Sequence, residues 1–460
     1  MELPYDRKSK QSILEYAEKL KRKTFRQVLL ENKEIDTIER KELYERYNNS
    51  RSKGSLGNLL EEYYFLYEPN SNPDADFNEA GVELKVTPYV LNKNNTLSAK
   101  ERLVLSMINY EEDYKFPFES SHVYSKCALM LIIYYLYEVN KLRLDYIINY
   151  IKLFNFPEED LEIIKNDYNI IIEKIKQGKA HEISESDTNY LGACTKGANS
   201  SSKRNQPFSK IEASQRAFCL KQSYMTYILN KYIANDEEKV DSIIKDKEIL
   251  KNISLEKYVI NKLSKYYGRN VDDLKEEFNI NVSKTNKSFN FYLAKGMLDV
   301  VGDKIEEFEK ANINIKTIRL ENSGIIREHM SFPAFKYTDI VNQEFEDSDL
   351  YELFSTTRYL FMIYKYDEKG DLTFKKAMFW NVPCSDLDGE IKRVWYETKR
   401  LIANMEYDNL PKSTESEILH VRPHGRNAED KIITPSGSMV TKKCFWLNRG
   451  YILKQIEEYN

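Results

Sequence analysis

One stretch of this chain occurs twice. Residues 76–85 read DFNEAGVELK and residues 307–316 read EFEKANINIK, in register without a gap at an offset of 231. Three further pairs follow in the same order. KCALMLIIY (126–134) lies over RYLFMIYKY (358–366), YLGACTKGAN (190–199) over ILHVRPHGRN (418–427), and AFCLKQSYM (217–225) over CFWLNRGYI (444–452), at offsets of 232, 228 and 227. A near-constant offset over four separate stretches implies two copies of one fold. Each copy spans about 200 residues, a size that suits a single domain. The predicted organisation of the 460 residues is a first copy over 1–235, a helical connector over 236–254 and a second copy over 255–460.

Periodicity sets the coarse class. Apolar residues recur at helical spacing from Ser9 to about Asn49 and again through the charged, proline-free region after residue 230. VELKVTP alternates and predicts a strand ending at Pro88, and CALMLIIYYLYEV is a buried strand or a core helix, too short to span a bilayer. LGACTKGANSSSKRNQPFS lacks periodicity and reads as a loop. The predicted fold is mixed α/β. With 31% charged residues and a mean hydropathy of -0.62, a soluble chain is expected. The amino terminus has no apolar segment of the secretory kind. Five scattered cysteines without a C-x-x-C spacing favour neither disulfides nor zinc, and together these features predict the cytoplasm.

The net charge of -4 does not advertise a nucleic-acid partner, but its distribution does. Residues 190–226 carry six basic side chains against one acidic, and residues 418–451 carry six against two. Two basic islands in an otherwise acidic chain are either an electrostatic footprint for DNA or a pair of solvated loops.

The duplicated stretch carries the chemistry. In the first copy Asp76, Glu83 and Lys85 form D-x6-E-x-K. On a strand, Glu83 and Lys85 share a face, and Asp76 arrives from the preceding turn. Two converging carboxylates suit Mg²⁺, which takes oxygen ligands and keeps several waters. A neighbouring lysine can orient a water, and this set is equipment for phosphodiester hydrolysis. E-x-K alone is weak in a chain this charged, and from the triplet alone a surface ion pair is the favoured reading. The flanking text is more specific: KGSLGNLLEEYY (53–64) supplies Glu61, and SSHVYSKCALML (120–131) supplies Ser121, His122 and Lys126.

K-G-x-x-G-x-L-L-E, then D-F-x-E-x-G-V-E-L-K, then E-x-S-H-V-x-x-K resembles the MutH family of the PD-(D/E)xK nuclease superfamily. That family includes the mismatch-repair nickase MutH and the Sau-three-A-type restriction endonucleases. The resemblance implies two tandem MutH-like domains, each a mixed β-sheet flanked by helices. It implies that Asp76 and Glu83 bind Mg²⁺, that Lys85 acts with them, and that Glu61 and Lys126 belong to the same active site. The tandem arrangement resembles the Sau-three-A-type enzymes and implies type II restriction at 5'-GATC-3'. A mismatch-repair-type nickase and a non-cleaving DNA-binding regulator are the alternatives.

The second copy departs from the motif. Asn314 replaces Glu83, Glu307 replaces Asp76, Lys316 survives, and the alignment sets Arg358 over Lys126. A site short of one anionic ligand is expected not to cut. Its basic island persists, so DNA binding is the expected role, and the resemblance implies an allosteric one. Lys196 is the candidate base reader of the first copy, with Lys203, Arg204 and Lys221 on phosphates; in the second copy Arg422, His424 and Arg426 stand in place of Cys194, Lys196 and Ala198. One active site per chain and the palindromic target that the resemblance implies require two chains meeting on the DNA or two successive nicks; a monomer that dimerises on double-stranded DNA is expected, with no membrane partner.

Overall fold

The computed structural model describes residues 3–49, 55–69, 74–197, 202–234, 240–286, 288–427 and 429–458. The helical opening is three helices, α1 (Lys10–Glu18), α2 (Phe25–Glu31) and α3 (Thr37–Asn48). Each starts at a side chain that accepts backbone N–H groups, Ser9, Thr24 and Asp36 respectively. A fourth, α4 (Ser55–Tyr63), precedes the first sheet.

That sheet holds β1 (Glu83–Leu91), β2 (Leu97–Ala99), β4 (Met130–Leu136) and β5 (Ile147–Phe154), in the order β2-β1-β4-β5. β1 and β4 are parallel, and β4 and β5 antiparallel. Residues 130–135 of β4 are all buried because both faces are covered. Leu131, Ile133 and Tyr135 face α1–α4, whereas Met130, Ile132 and Tyr134 face the opposite core. β1 runs through Pro88 to Leu91 rather than ending there. The Pro88 carbonyl accepts from Lys100 N, so its missing N–H falls on the same side, beyond the last paired residue of β2.

A second antiparallel sheet has the order β3-β9-β6, with β3 (Leu103–Met107), β6 (Leu191–Thr195) and β9 (Arg216–Leu220). The hairpin of β7 (Lys203–Gln206) and β8 (Ser209–Ser214) projects from it. α5 (His122–Ser125), α6 (Glu158–Lys176) and α7 (Gln222–Tyr227) link and cover these sheets.

The same pairing order recurs. β12 (Ile313–Leu320), β14 (Arg358–Tyr366) and β15 (Leu372–Trp380) pair parallel, then antiparallel, as β1, β4 and β5 do. β13 (Met330–Ala334), β16 (Leu419–Pro423) and β19 (Lys443–Leu447) repeat β3, β6 and β9 in the order β13-β19-β16. β17 (Lys431–Ile433) and β18 (Met439–Thr441) form the matching hairpin. The architecture is mixed α/β, with several sheets flanked by helices.

The stretch expected to be a helical connector is not a helix in its described part. Val240–Asp241 (β10) pairs parallel with Lys304–Ile305 (β11), and Lys247–Lys251 is a single 3-10 turn. The buried Glu307 carboxylate causes this. It accepts from Ser242 Oγ and from the backbone N–H of Ile243 and Ile244, drawing the segment onto α11 (Glu306–Ala311). The helices that follow, α8 (Leu255–Ser264), α9 (Val271–Glu277) and α10 (Phe289–Leu298), share one continuous core with Tyr134 of β4 and Leu360, Met362 and Tyr364 of β14.

Ionic contacts cross the seam between the halves. Lys310 meets Asp160 at 2.7 Å with both side chains 1% exposed. Arg102 joins Glu185 at 2.5 Å and Glu352 at 2.7 Å. None of the helices among the described residues is long and apolar enough to cross a membrane.

Candidate active site

β1 begins at the chemistry. Glu83 and Lys85 share a face of the strand, and Lys85 Nζ donates to Glu83 Oε1 at 2.8 Å. Asp76 is brought alongside by a tight reversal. Phe77 bridges Val82, Asn78–Ala80 make a 3-10 turn, and Gly81 takes the left-handed φ of 65° that closes it. Asp76 Oδ2 then accepts from Leu84 N at 2.9 Å, and Asp76 N donates to Glu83 Oε2 at 3.3 Å.

The third motif arrives through α5. Ser121 caps it by accepting from Tyr124 N, and Lys126 stands at its carboxyl end. Lys126 Nζ donates to Glu83 Oε2 at 3.1 Å and to the Asp74 carbonyl at 2.6 Å. Glu83, 3% exposed, thus has a lysine on each oxygen. Glu61 comes from α4, which packs on β1. Burial, then Asp76 and Glu83, push its carboxyl up to about 7. Burial and Glu83 push Asp76 up to about 6. Asp76, Glu83, Lys85, Glu61 and Lys126 therefore converge.

Two neighbours had no signal in the sequence. Arg7 Nη2 donates to the Asp76 carbonyl at 3.4 Å and lies over the Tyr67 ring at 5.4 Å. The Tyr67 hydroxyl is buried and has no hydrogen-bond partner among the described residues. Burial raises its pKa beyond the ordinary phenol range, and Asp76, Glu61 and Glu83 add to the rise. Neither residue falls in a spaced motif.

Among the described residues, no three His, Cys, Asp or Glu side chains form a ready-made metal cage. The donor set nonetheless fits a hard cation. It is all oxygen, and Mg²⁺ needs only one or two carboxylates beside its waters. Burial first and neighbouring carboxylates second raise Asp76 and Glu61, and a cation held between them would offset both effects.

The second half keeps the frame and loses the site. Asn312 is left-handed like Gly81, and Ser348 caps α13 (Asp349–Thr356) as Ser121 caps α5. Asn314 stands where Glu83 does, while Glu307 is turned onto the 242–244 backbone. The expectation that Arg358 replaces Lys126 is corrected. Glu83 pairs with Met130, four residues past Lys126, and Asn314 with Tyr359, one residue past Arg358, so Arg358 lies at the head of β14 itself and not at the place of Lys126. Arg358 instead binds Glu256 and Asn189 Oδ1 and lies over the Phe379 ring.

Of the candidate DNA contacts, Lys203 and Arg204 are exposed on β7, and Lys196 follows β6 half-buried, its N–H donated to Gln215 O. Lys221 is not on the surface. It is 1% exposed, donates to Thr188 O at 2.5 Å, and burial pushes its ammonium down to about 8. A phosphate contact by Lys221 is thereby excluded in this conformation. Arg216 of the same basic island is likewise buried, on Ala193 O. Arg422, His424 and Arg426 are exposed. Residues 198–201 and 428, inside the two basic loops, lie outside the described residues.

Two comparisons bear on this site. The family model for the DNA mismatch repair enzyme MutH matches residues 65–167, a span that includes Asp76, Glu83, Lys85 and Lys126. The chain is also 39% identical over 459 residues to the type II restriction enzyme Sau3AI of Staphylococcus aureus, covering 89% of this chain and 93% of that protein.

Proposed function

The chain belongs to the family of MutH-like type II restriction endonucleases, and we propose that it cuts both strands of duplex DNA at 5'-GATC-3' in a Mg²⁺-dependent hydrolysis. The observation that carries this reading is an asymmetry. The first half gathers Asp76, Glu83, Glu61, Lys85 and Lys126 at one place, and the second keeps the frame with Asn314 in place of Glu83. The target sequence comes from the family resemblance.

Asp76 and Glu83 would hold Mg²⁺, with Glu61 beside them. When bound, the ion supplies positive charge against the scissile phosphate. Lys85 presents its ammonium beside Glu83 and orients a water toward the phosphate. Lys126 fixes the second Glu83 oxygen and the Asp74 carbonyl, so that Glu83 and the Asp76 turn keep one geometry. Glu61, titrating near 7, can take up or release a proton at neutral pH. Lys196, Lys203 and Arg204 contact DNA in the first half.

In this reading the second half is a DNA-binding effector domain. Arg422, His424 and Arg426 contact a second DNA site there. A palindrome offers two scissile phosphates and each chain one active site, so two chains meet on the DNA.

A plasmid digest tests the reading. Discrete linear fragments with ends at GATC in the presence of Mg²⁺ are expected. Open circles alone would indicate a nickase, and unchanged plasmid a non-cleaving DNA-binding regulator.

A further inference from the structure

The two small antiparallel sheets place the same diagonal pair side by side and fill it differently. In the first half Gly192 faces Cys219 and Cys194 faces Ala217, so Cys194 and Cys219 are diagonal neighbours. Both are buried, in one small cluster with Ala217. In the second half His420 faces Trp446 and Arg422 faces Cys444. Arg422 and Trp446 therefore occupy the two places that thiols occupy in the first.

The surroundings follow the same division. Beside the thiols lies Arg102, held by Glu185 and by Glu352 of α13, so the second half covers that face. The corresponding face of the second half is covered at His420, which is buried against the His329 ring, and opens at Arg422. Arg422 is exposed, with its guanidinium carbon 5.5 Å from the centroid of the Trp446 ring. The His424 ring meets the same indole edge-on at 5.9 Å. An exposed arginine samples many rotamers, and ordering them on binding costs affinity. An indole beneath the guanidinium restricts that freedom and leaves the N–H fork pointing outward. Such a fork matches the O6 and N7 edge of guanine.

We infer that Trp446 is a positioning residue that pre-orients Arg422 to read a base, so that sequence discrimination by the second half rests on the Arg422–Trp446 stack. This rests on the reading of that half as a DNA-binding domain. The first half has no counterpart of the stack. Its own discrimination comes from other residues, and the two halves read DNA by different chemistry.

The full-length Glu83→Ala chain, which cannot cut, allows the test. Trp380 and Trp395 are 3% and 1% exposed, while Trp446 is partly exposed, so quenching of tryptophan emission by duplex reports the second half. A GATC duplex is expected to quench at lower concentration than a scrambled duplex. Arg422→Lys should shrink that preference about tenfold while moving the scrambled midpoint less than threefold. Trp446 variants are followed by anisotropy of labelled duplexes in a chain that also carries Lys196→Ala, Lys203→Ala and Arg204→Ala, so that the signal reports the second half; there Trp446→Phe should keep the preference and Trp446→Leu should lose it as Arg422→Lys does. Equal weakening on both duplexes by Arg422→Lys would make Arg422 a phosphate contact and overturn the inference, as would an unchanged preference in Trp446→Leu. Equal quenching by both duplexes in the parent would overturn the inference and leave the DNA-binding reading standing. No quenching by any duplex would remove both.

Discussion

Lys126 Nζ lies 3.1 Å from Glu83 Oε2, and with Lys85 on the other oxygen it makes Glu83 the hub of the site. The two lysines differ in what else they hold. Lys85 has no other hydrogen-bonded partner among the described residues, whereas Lys126 also ties the Asp74 carbonyl that leads into the Asp76 turn. Glu83→Ala is expected to abolish cleavage and to spare DNA binding. Lys85→Ala should lower the single-turnover cleavage rate by about 10²–10⁴ with little change in duplex affinity. Lys126→Ala should cost about 10² by loosening Glu83 and the turn. Rapid-quench rates beside binding isotherms separate the three, and a loss of affinity parallel to the loss of rate would contradict the assignment.

The carboxyl values give a pH dependence with a definite sign. Glu61 sits near 7 and Asp76 near 6, both above their ordinary values because burial and neighbouring carboxylates disfavour the charged forms. Cation binding needs the ionised forms, so cleavage at subsaturating Mg²⁺ should climb as pH rises through 6 to about 7. Glu61→Gln should remove the upper inflection. For stability, an acid raised in the folded state favours folding while protonated, and that advantage is lost as pH rises through the folded value. In chelator, the melting temperature should fall between pH 5.5 and 8, and fall less in Glu61→Gln. Thermal melts across that range check it.

Much of this was legible in the sequence, for physical reasons. Strand alternation and the E-x-K spacing share a period of two, so Glu83 and Lys85 had to lie together once β1 formed. The duplication was visible because core strands constrain their residues, as YLFMIY of β14 echoes MLIIYY of β4. Side chains decided by the partner half were not legible. Lys221 reads as a surface cation one residue past β9, yet the packed seam encloses it. Arg358 slipped past its true equivalence because the helix before β14 is longer than the one before β4. The 240–254 segment has helical composition but obeys the buried Glu307 carboxylate. Arg7 and Tyr67 reach the site from the opening and from the end of α4 by tertiary packing alone.

The seam itself yields a stability test. Lys310 and Asp160 are both buried, and Tyr224 Oη donates to the second Asp160 oxygen at 2.8 Å. Breaking such a pair strands a charge, whereas replacing both partners with apolar groups of similar volume is often neutral. Lys310→Met should destabilise by about 3–5 kcal/mol. The Lys310→Met, Asp160→Leu double variant should recover most of it. Denaturant titration of both variants decides, and additive losses would mean that the ion pair is not the unit of stability.

Restoring the missing ligand should not restore a second active site. Asn314→Glu recreates only the carboxylate at the head of β12. Glu307 remains committed to Ser242, Ile243 and Ile244, and its release would unpin the segment that bears β10. Arg358 is held in the seam by Glu256. Lys316 lies over the Phe332 ring at 5.2 Å, and burial pushes its ammonium down. A new carboxylate at 314 would then face a lysine with no second partner to fix it. The fragment pattern and cleavage rate of Asn314→Glu should match the parent, and Asn314→Glu placed in a Glu83→Ala chain should leave plasmid uncut over hours. Cutting by that double variant would show that the second half lost one ligand and nothing more.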